Sequence, residues 1–288
     1  MLSSIYTTAY ANGVFESKRD IVKTDLKIIN TIKNLENDIL DGSWSKKRYA
    51  EMDLEIMPLM VSRANRKYPN LHLYFLNDPE HIAELIGENI SQNKRSFRCI
   101  TNMGSDNIHC ALIDCKIINN KISLILFEPA NKVSSSANLL AIRLTLALKR
   151  HPIPECFFVM FEMDLQRSIS ECSIFSLALA KKIHFESDKI KRIHQDNLAG
   201  HFSGVSGFIS CNEVDKYLPP SLFKHVQSIT RLNKFMEMHP EYKVKVINKK
   251  SENVIQRFVK NLVLVNNKKM SISLHKKRIS EYSALLKS

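Results

Sequence analysis

The sequence predicts an α+β fold in which helices flank a mixed β-sheet. Apolar residues with helical spacing dominate the chain up to about residue 93, and a block of strand-like segments follows between Phe97 and Phe127. Helical and strand-like segments then alternate from Ala137 to Ile183. At 288 residues, the chain is long enough for one large domain or two small ones.

The N-terminal part predicts three helices and one strand. Residues 1–20 are polar and aperiodic, and we expect them to be disordered. The apolar residues between Ile21 and Ile39 have helical spacing, and Gly42 follows as a helix C-cap. The further elements are a helix over residues 54–66, a strand over residues 70–76, and a helix that runs from Asp78 and Pro79 to Gln92.

The central part of the chain predicts the sheet. Asn119 and Asn120 fit a tight hairpin turn between two of its strands. After Gly207 the pattern weakens, and residues 217–220 are typical of a connector to the C-terminal part. The predicted strands cover residues 97–102, 108–118, 121–127 and 155–163, and the predicted helices cover residues 137–149 and 172–183.

The composition argues against several classes of protein. The longest apolar run, residues 156–161, has the length of a strand, so we expect no stable membrane insertion. None of the six cysteines forms a C-x-x-C pair, which argues against a zinc site and leaves no predicted metal ligand. Reduced thiols in a cytosol-like compartment fit this cysteine content better than a disulfide scaffold does.

The positive charge is concentrated in the last quarter of the chain. Residues 221–288 contain 15 Lys and Arg against 4 Asp and Glu, a net charge of +11 out of +13 for the whole chain. Such a concentration indicates a polyanionic partner, although a solvated basic face would have the same composition. Nucleic acid is not predicted, because neither a known binding motif nor an interleaved aromatic pattern accompanies the charge.

Cys172 is the leading candidate for a reactive residue. It begins a predicted helix, whose dipole would favour the thiolate, the form in which a cysteine attacks. His109 and Glu128 lie on adjacent strands of the predicted hairpin, where the carboxylate could orient the imidazole as a general base. The amide of Gln166, on the loop before Cys172, could donate to a developing oxyanion. Together these residues predict thiolate chemistry.

Structural explanations for the same residues remain open at this point. A cysteine at a helix start often serves packing alone, and a histidine on a strand is often a core or surface residue. Glu128 precedes Pro129 and could simply end its strand. Cys110 and Cys115 share the predicted strand of His109 and are poorer nucleophiles, because no helix terminus activates them.

Several separated segments resemble the YopJ family of bacterial type III effectors. They occur in the family's order, and the resemblance extends over almost the whole chain. The segments are residues 41–44 (DGSW), 104–109 (GSDNIH), 124–131 (LILFEPAN), 163–172 (MDLQRSISEC), 178–182 (ALAKK) and 275–279 (HKKRI).

The resemblance implies a core similar to clan CE cysteine proteases, used here for acetyl transfer. The family's triad falls on His109, Glu128 and Cys172, and Gln166 matches the oxyanion glutamine of that clan. Cys172 would take an acetyl group from acetyl-CoA and pass it to a serine, threonine or lysine of a host protein kinase of the MAP kinase kinase class, which blocks phosphorylation. Family members usually have glycine after the nucleophile, whereas this chain has Ser173.

The family also implies inositol hexakisphosphate (IP6) as an activator held by the basic part of the chain. Arg257 and Lys250 are the first choices as its ligands, Arg66 and Lys67 could close the same pocket, and Lys224 is the expected site of self-acetylation. The complete set of expected cofactor and activator residues is Lys224, His225, Arg257, Lys250, Arg66, Lys67, Lys276, Lys277 and Arg278.

The resemblance also implies an organisation and a location. Residues 1–20 would be the export signal for type III secretion into the host cell cytoplasm, and residues 94–215 the catalytic core. Residues 21–93 and 216–288 would form the helical and basic parts of a regulatory region. Two other functions stay open: a cysteine protease that acts on ubiquitin-like conjugates, and a kinase-binding decoy without catalysis.

Overall fold

A six-stranded mixed sheet forms the centre of the structure. The structure is a computed structural model that describes residues 18–104, 108–131, 133–151, 153–202, 208–265 and 267–287. The strands are β1 (Leu73–Leu76), β2 (Ser96–Asn102), β3 (Cys110–Ile118), β4 (Lys121–Glu128), β5 (Cys156–Glu162) and β6 (Phe208–Ile209). Their order in the sheet is their order in the chain.

Two kinds of strand connection build this sheet. The meander β2-β3-β4 is antiparallel, and its tight turn at Asn119 and Asn120 has φ values of 50° and 62°, as a two-residue hairpin requires. The outer pairs β1-β2, β4-β5 and β5-β6 are parallel and therefore need crossover connections. The predicted mixed sheet is confirmed, and so is the predicted turn.

Ten helices and a small second hairpin complete the described part of the chain. The helices are α1 (Lys18–Asp41), α2 (Ala50–Lys67), α3 (Ile82–Ser91), α4 (Ser135–Arg150), α5 (Cys172–Phe185), α6 (Ser187–Leu198), α7 (Cys211–Val214), α8 (Ile229–Met238), α9 (Val254–Lys260) and α10 (Ser273–Leu285). The second hairpin consists of β7 (Leu262–Val265) and β8 (Lys268–Ser271).

The two faces of the sheet bury two separate apolar cores. Alternate residues of each strand point to opposite faces, so Leu112 joins one core and its neighbour Ile113 joins the other. The first face is covered by α2, α5, α6 and the C-terminal elements, and the second face by α3 and α4. Helices on both faces explain why the central strands are mostly apolar and lack a regular alternation with polar residues.

The N-terminal and C-terminal parts of the chain meet on the first face. Helix α10 contacts α1, α2 and α5, and α2 also packs against α5. Helices α2 and α10, from the N-terminal and C-terminal parts of the chain, therefore both lie against the helix that begins at Cys172.

Three segments differ from their predicted form or fall outside the description. Strand β1 starts at Leu73 instead of residue 70, because Pro69–Leu71 form a 3-10 turn and His72 has a φ of 45°. In the predicted connector 217–220, Tyr217 is half-buried and the other three residues are buried. The expected disorder of residues 1–20 lies almost wholly outside the described residues. Among the described residues, no helix is long and apolar enough to cross a membrane.

Candidate active site

Cys172 is the first residue of α5, where that helix packs against β2 and β3. Only 3% of the residue is exposed. The preceding residue, Glu171, occupies the N-cap position but directs its carboxylate to Ser168 and Gln227 instead of to the helix end. The helix N-terminus therefore keeps its partial positive charge, which favours a thiolate at Cys172.

His109 lies immediately before β3 and is held by the end of β2. Its backbone N–H donates to Oδ1 of Asn102 at 3.2 Å, and its carbonyl accepts from the N–H of Met103 at 2.9 Å. The next residue, Gly104, has a φ of +71° and lies so close to Asp78 that a Cβ atom would approach its carboxylate to 2.5 Å. A glycine is therefore needed where the chain turns toward His109.

Glu128, the last residue of β4, contacts the His109 ring directly. Its Oε2 lies 2.8 Å from Nε2 of His109, and its Oε1 accepts from the backbone N–H of Ala130 at 2.8 Å. The carboxylate is 1% exposed, so both its oxygens are fixed away from water. Because Nε2 faces Glu128, Nδ1 is the ring nitrogen left for Cys172. The predicted hairpin does bring the imidazole and the carboxylate together.

The surroundings of Cys172 and His109 favour a charged pair. A hydrogen bond from the Cys110 thiol, followed by the hydrogen bond and charge of His109, holds the pKa of Cys172 well below its usual value, although burial opposes this. Burial would lower the pKa of His109, but the charge of Glu128 and hydrogen bonds to Cys172 and Glu128 raise it to about 11. These opposite shifts favour thiolate and imidazolium over a wide pH range.

Gln166 lies on the loop 164–171 that leads into α5. The loop is fixed to Pro129, whose carbonyl accepts from the N–H groups of Leu165 and Gln166 at 2.9 and 3.0 Å. Nε2 of Gln166 donates to the Ser168 carbonyl at 2.8 Å, while its Oε1 is buried and has no hydrogen-bond partner among the described residues. The amide uses one N–H within the loop and has a second one that could face an oxyanion.

Gln227 holds the same loop, although it was not among the predicted site residues. Its Oε1 accepts from the N–H groups of Arg167 and Ser168 at 2.5 and 3.0 Å, and its Nε2 donates to Ser168 Oγ and to Glu171. All the donors and acceptors of its side chain are thus used on the loop, and the residue is fully buried. No local pattern marks Gln227, because its partners lie far from it in the chain.

Arg278 lies in a buried ion pair, whereas the family resemblance implied an anion-binding residue. Its guanidinium makes two bonds of 2.9 Å to the carboxylate of Asp53 and donates to the Ser170 carbonyl at 2.6 Å. Glu171 is a further contact at 3.4 Å. Arg278 and Asp53 are 1% and 0% exposed. Since its donors face these partners, Arg278 supports the loop before Cys172 and is not available to a soluble anion.

Four cationic side chains converge next to the core, and we call them the cationic cluster: Lys182, Lys224, Arg257 and Lys277. Burial, followed by the charges of the other three cations, lowers the pKa of Lys224 to about 8. Burial also lowers the pKa of Lys182, which Lys277 lowers further. Such mutual lowering of pKa values is the effect expected of like charges that share one region of a protein. Lys182 was not predicted, because it belongs to the helix that follows Cys172.

The remaining predicted basic residues differ in their exposure. His225 is buried behind the cationic cluster, where its Nδ1 lies 2.8 Å from Ser273 Oγ. Burial, followed by the charge of Lys224, holds the pKa of His225 well below its usual value, so this ring is neutral. Arg257 also contacts Ser273, at 3.2 Å. The residues with exposed side chains are Arg66, Lys67, Lys250 and Lys276.

An apolar groove of about 850 Å³ lies on the other face of the sheet, between α4 and β5. Ile142, Leu146 and Phe158 are among its lining residues, and none of the three candidate catalytic residues lines it. The described residues contain no group of three or more His, Cys, Asp or Glu side chains that could hold a metal ion. Chemistry, not cavity size, therefore identifies the site at Cys172.

Comparison with known proteins gives consistent matches over the full length of the chain. The sequence profile of the YopJ Serine/Threonine acetyltransferase family matches residues 28–284. The serine/threonine-protein acetyltransferase YopJ of Yersinia pestis is 44% identical over 287 residues, which cover 100% of both chains. The protein of the same name from Yersinia pseudotuberculosis is 43% identical with the same coverage.

Solved structures with the same fold include two complexes. AvrA with IP6 and CoA superimposes with a TM-score of 0.87 at 43% identity, covering 92% of this chain and 99% of the other. HopZ1a in complex with IP6 and CoA has a TM-score of 0.71 at 20% identity, covering 92% and 98%, and shows a common fold.

Proposed function

Because the chain belongs to the YopJ serine/threonine acetyltransferase family, we propose that it moves an acetyl group from acetyl-CoA, through an acetyl-cysteine at Cys172, to serine, threonine or lysine residues of host protein kinases. The paired thiolate and imidazolium of Cys172 and His109, with Glu128 behind them, carry this proposal. A helix N-terminus, a base and an orienting carboxylate are the groups that a cysteine nucleophile needs.

In the first half of the reaction, the Cys172 thiolate attacks the thioester carbonyl of acetyl-CoA. The carbon–sulfur bond to CoA breaks, and the leaving CoA thiolate takes the proton of the His109 imidazolium. The negative charge that develops on the carbonyl oxygen needs donors, and the amide of Gln166 with backbone N–H groups at the start of α5 are suited to supply them. The product is acetyl-Cys172 beside a neutral His109.

In the second half, the neutral His109 acts as the base. It removes the proton from the hydroxyl or amine of the acceptor as that group attacks acetyl-Cys172. The thioester bond breaks, the acetyl group stays on the acceptor, and Cys172 leaves as a thiolate beside the restored imidazolium. Glu128 keeps the ring in one tautomer and orientation throughout, because its Oε2 accepts from Nε2–H.

We assign IP6 to the cationic cluster as the activator. The fit rests on observations of this chain: four crowded cations, a Lys224 pKa of about 8, and a buried Nε of Arg257 that has no hydrogen-bond partner among the described residues. Clustered phosphates would relieve this repulsion and satisfy that donor. AvrA and HopZ1a were both solved with IP6. We therefore add Lys182 to the expected ligands of IP6 and remove Arg278. Lys250 is exposed and is a weaker candidate ligand than Arg257.

Lys224 is also suited to be the proposed self-acetylation site. An amine attacks an acyl group only when it is neutral, and a pKa of about 8 gives Lys224 a larger neutral fraction at pH 7 than an ordinary lysine has. Acetylation would remove one charge from the cationic cluster, so self-acetylation and IP6 binding would oppose each other at this residue.

The biological setting follows from the family and completes the proposal. The acceptors would be kinases of the MAP kinase kinase class, whose phosphorylation and signalling acetylation would block. Residues 1–20 would carry the signal for type III secretion, which delivers the protein to the host cell cytoplasm. Residues 94–215 would form the catalytic core, and residues 21–93 and 216–288 the regulatory region. The contacts of α10 with α2 and α5 support a regulatory region made from both ends of the chain.

Acetyl transfer to a purified MAP kinase kinase tests the function. The kinase would be incubated with this protein, acetyl-CoA and IP6, and its mass measured. We expect acetyl additions with the wild type and with the control Cys211→Ala, a half-buried cysteine distant from Cys172 in the sequence, and none with Cys172→Ala. Cleavage of ubiquitin-like conjugates without acetyl transfer would favour a protease, and kinase inhibition that survives Cys172→Ala would favour a decoy.

A further inference from the structure

The side chains of Cys110 and Ser173 adjoin the nucleophile, and the mechanism above does not use them. Cys110 is the first residue of β3 and Ser173 the second residue of α5, and both are 0% exposed. The backbone N–H of Cys110 donates to Sγ of Cys172 at 3.4 Å. The hydroxyl of Ser173 donates to Sγ of Cys110 at 3.4 Å. Cys110 thus contacts the reacting sulfur through its backbone and Ser173 through its thiol.

The direction of the Cys110 proton follows from its neighbours. A thiol has a single proton to donate, and the sulfur of Cys110 already accepts from Ser173. The neutral acceptor near Cys110 is Oδ1 of Asn102, at 3.9 Å, and that oxygen also accepts from the N–H of His109. The charged sulfur of Cys172 is the stronger acceptor, because charge-assisted hydrogen bonds are roughly twice as strong as neutral ones.

We propose that Ser173 and Cys110 form a hydrogen-bond relay that stabilises the Cys172 thiolate, in which the Ser173 hydroxyl orients the Cys110 thiol and this thiol donates to Cys172. Cys110 is a donor to the nucleophile, and Ser173 is a positioning residue that acts through Cys110. The proposal rests on the proposed function only in taking Cys172 as the nucleophile, because it concerns the thiolate and not the group transferred.

The other charged groups near Cys172 leave room for this effect. The imidazolium of His109, paired with Glu128, is the main cation near the sulfur. The carboxylate of Asp53 from α2 opposes a thiolate, but the guanidinium of Arg278 from α10 neutralises it. Cys110 itself stays protonated, since its hydrogen bond to Cys172 and its burial raise its pKa well above the usual value. It therefore donates its proton and does not compete as a second nucleophile.

The test follows the ionisation of Cys172 directly. Thiolate ultraviolet absorbance would be titrated against pH, with the curve of Cys172→Ala subtracted to isolate that sulfur, and the pH dependence of acetyl-enzyme formation would be measured beside it. The variants are Cys110→Ala, which removes the donor, Cys110→Ser, which keeps one, and Ser173→Ala. The matched control is Cys99→Ala, an equally buried cysteine on β2.

We expect Cys110→Ala to move the acid limb of both curves upward by about one pH unit, which is a tenfold loss of thiolate at a given pH on that limb. The plateau of Cys110→Ala at higher pH should stay at the wild-type level. The curves of the control Cys99→Ala should match those of the wild type over the whole pH range. Cys110→Ser should restore the wild-type limb, and Ser173→Ala should move it by less than Cys110→Ala does.

Three results would overturn the relay. An unmoved limb in Cys110→Ala would show that its thiol does not stabilise the thiolate. If Cys110→Ala has a lower plateau but an unmoved limb, and Cys99→Ala shows the same loss, the role of Cys110 is packing. A moved limb in Cys110→Ala with an unmoved limb in Ser173→Ala would remove Ser173 from the relay. If Cys110→Ala does not fold, the positions of the acid limb in Ser173→Ala and Cys110→Ser test the relay instead. The absorbance readout stays valid without acetyl transfer, so failure of the proposed function would be seen separately.

Discussion

At the scale of the residue, Glu128 sets the pH range in which the site is charged. It accepts from Nε2 of His109 at 2.8 Å, and its charge is the largest cause that raises the pKa of that ring to about 11 against the effect of burial. A histidine with a raised pKa stabilises the fold below its unfolded pKa of about 6.5 and loses this contribution as the pH rises toward the folded value. As the pH rises toward that value, His109 loses its proton, and the thiolate–imidazolium pair is lost.

Glu128→Gln tests this role, because it keeps the shape of the side chain and removes its charge. The pKa of His109 should fall, so the alkaline limb of the pH–rate profile of acetyl transfer should move to lower pH. The loss of orientation and charge should slow the reaction by about a hundredfold to ten-thousandfold. Glu155→Gln, at an exposed glutamate before β5, is the control. An alkaline limb that stays in place in Glu128→Gln would contradict the assignment.

At the scale of the element, α10 is joined to loop 164–171 by a buried charge. Arg278 from α10 binds Asp53 of α2 and the Ser170 carbonyl of loop 164–171, while Gln227 holds the same loop from the other side. A buried ion pair adds little to the stability of a protein compared with apolar residues of similar volume. The loss of one partner, however, leaves the other buried, charged and unpaired. The C-terminal helix is therefore part of the support of Cys172.

Arg278→Ala should lower the free energy of unfolding by about 3 to 5 kcal/mol, because Asp53 is left buried without its counter-charge. Denaturant unfolding measures this loss. Lys276→Ala, on the same helix but exposed, should change the stability by less than about 0.5 kcal/mol. The double variant Asp53→Asn with Arg278→Ala should recover part of the loss. Equal stability of Arg278→Ala and wild type would show that the ion pair is not as buried as described.

At the scale of the whole molecule, the cationic cluster joins distant parts of the chain. Lys182 comes from α5, Lys224 from the 3-10 segment Pro220–His225, Arg257 from α9 and Lys277 from α10. Repulsion between these charges, which Glu252 beside Arg257 and Glu281 beside Lys277 offset only in part, opposes the packing of the C-terminal elements on the core. A polyanion would remove this repulsion, and would thereby stabilise the arrangement that holds loop 164–171.

Binding of IP6 at pH 8 should therefore take up more protons in the wild type than in a variant without Lys224, since protons released by the phosphates are common to both. The pKa of Lys224 is about 8 in the free protein, and bound phosphates would raise it, so the half-neutral amine would gain charge. Calorimetry in two buffers of different ionisation enthalpy measures the uptake. Lys224→Met should reduce it and weaken binding on the order of tenfold, whereas Lys276→Met should change neither. An equal exchange of protons in the wild type and in Lys224→Met would contradict this placement of IP6.

The sequence predicted more of the local structure than of the long-range contacts. The hairpin turn at Asn119 and Asn120 and the helix that begins at Cys172 follow from local patterns, and so does the meeting of His109 with Glu128 on one hairpin. The roles of Gln227 and Arg278 could not be predicted, because their partners lie far away in the chain. A basic residue in a basic segment has the same pattern whether it binds an anion or a buried carboxylate.

The most direct test of the central claim is a search for the acetyl group on Cys172 itself. The protein would be mixed with acetyl-CoA and IP6, quenched in acid after a single turnover, and digested for mass spectrometry. We predict an acetyl thioester on the peptide that contains Cys172, its loss when an acceptor kinase is added before the quench, and its absence in His109→Ala. A folded wild-type protein that transfers acetyl groups while Cys172 is never acetylated would contradict the mechanism.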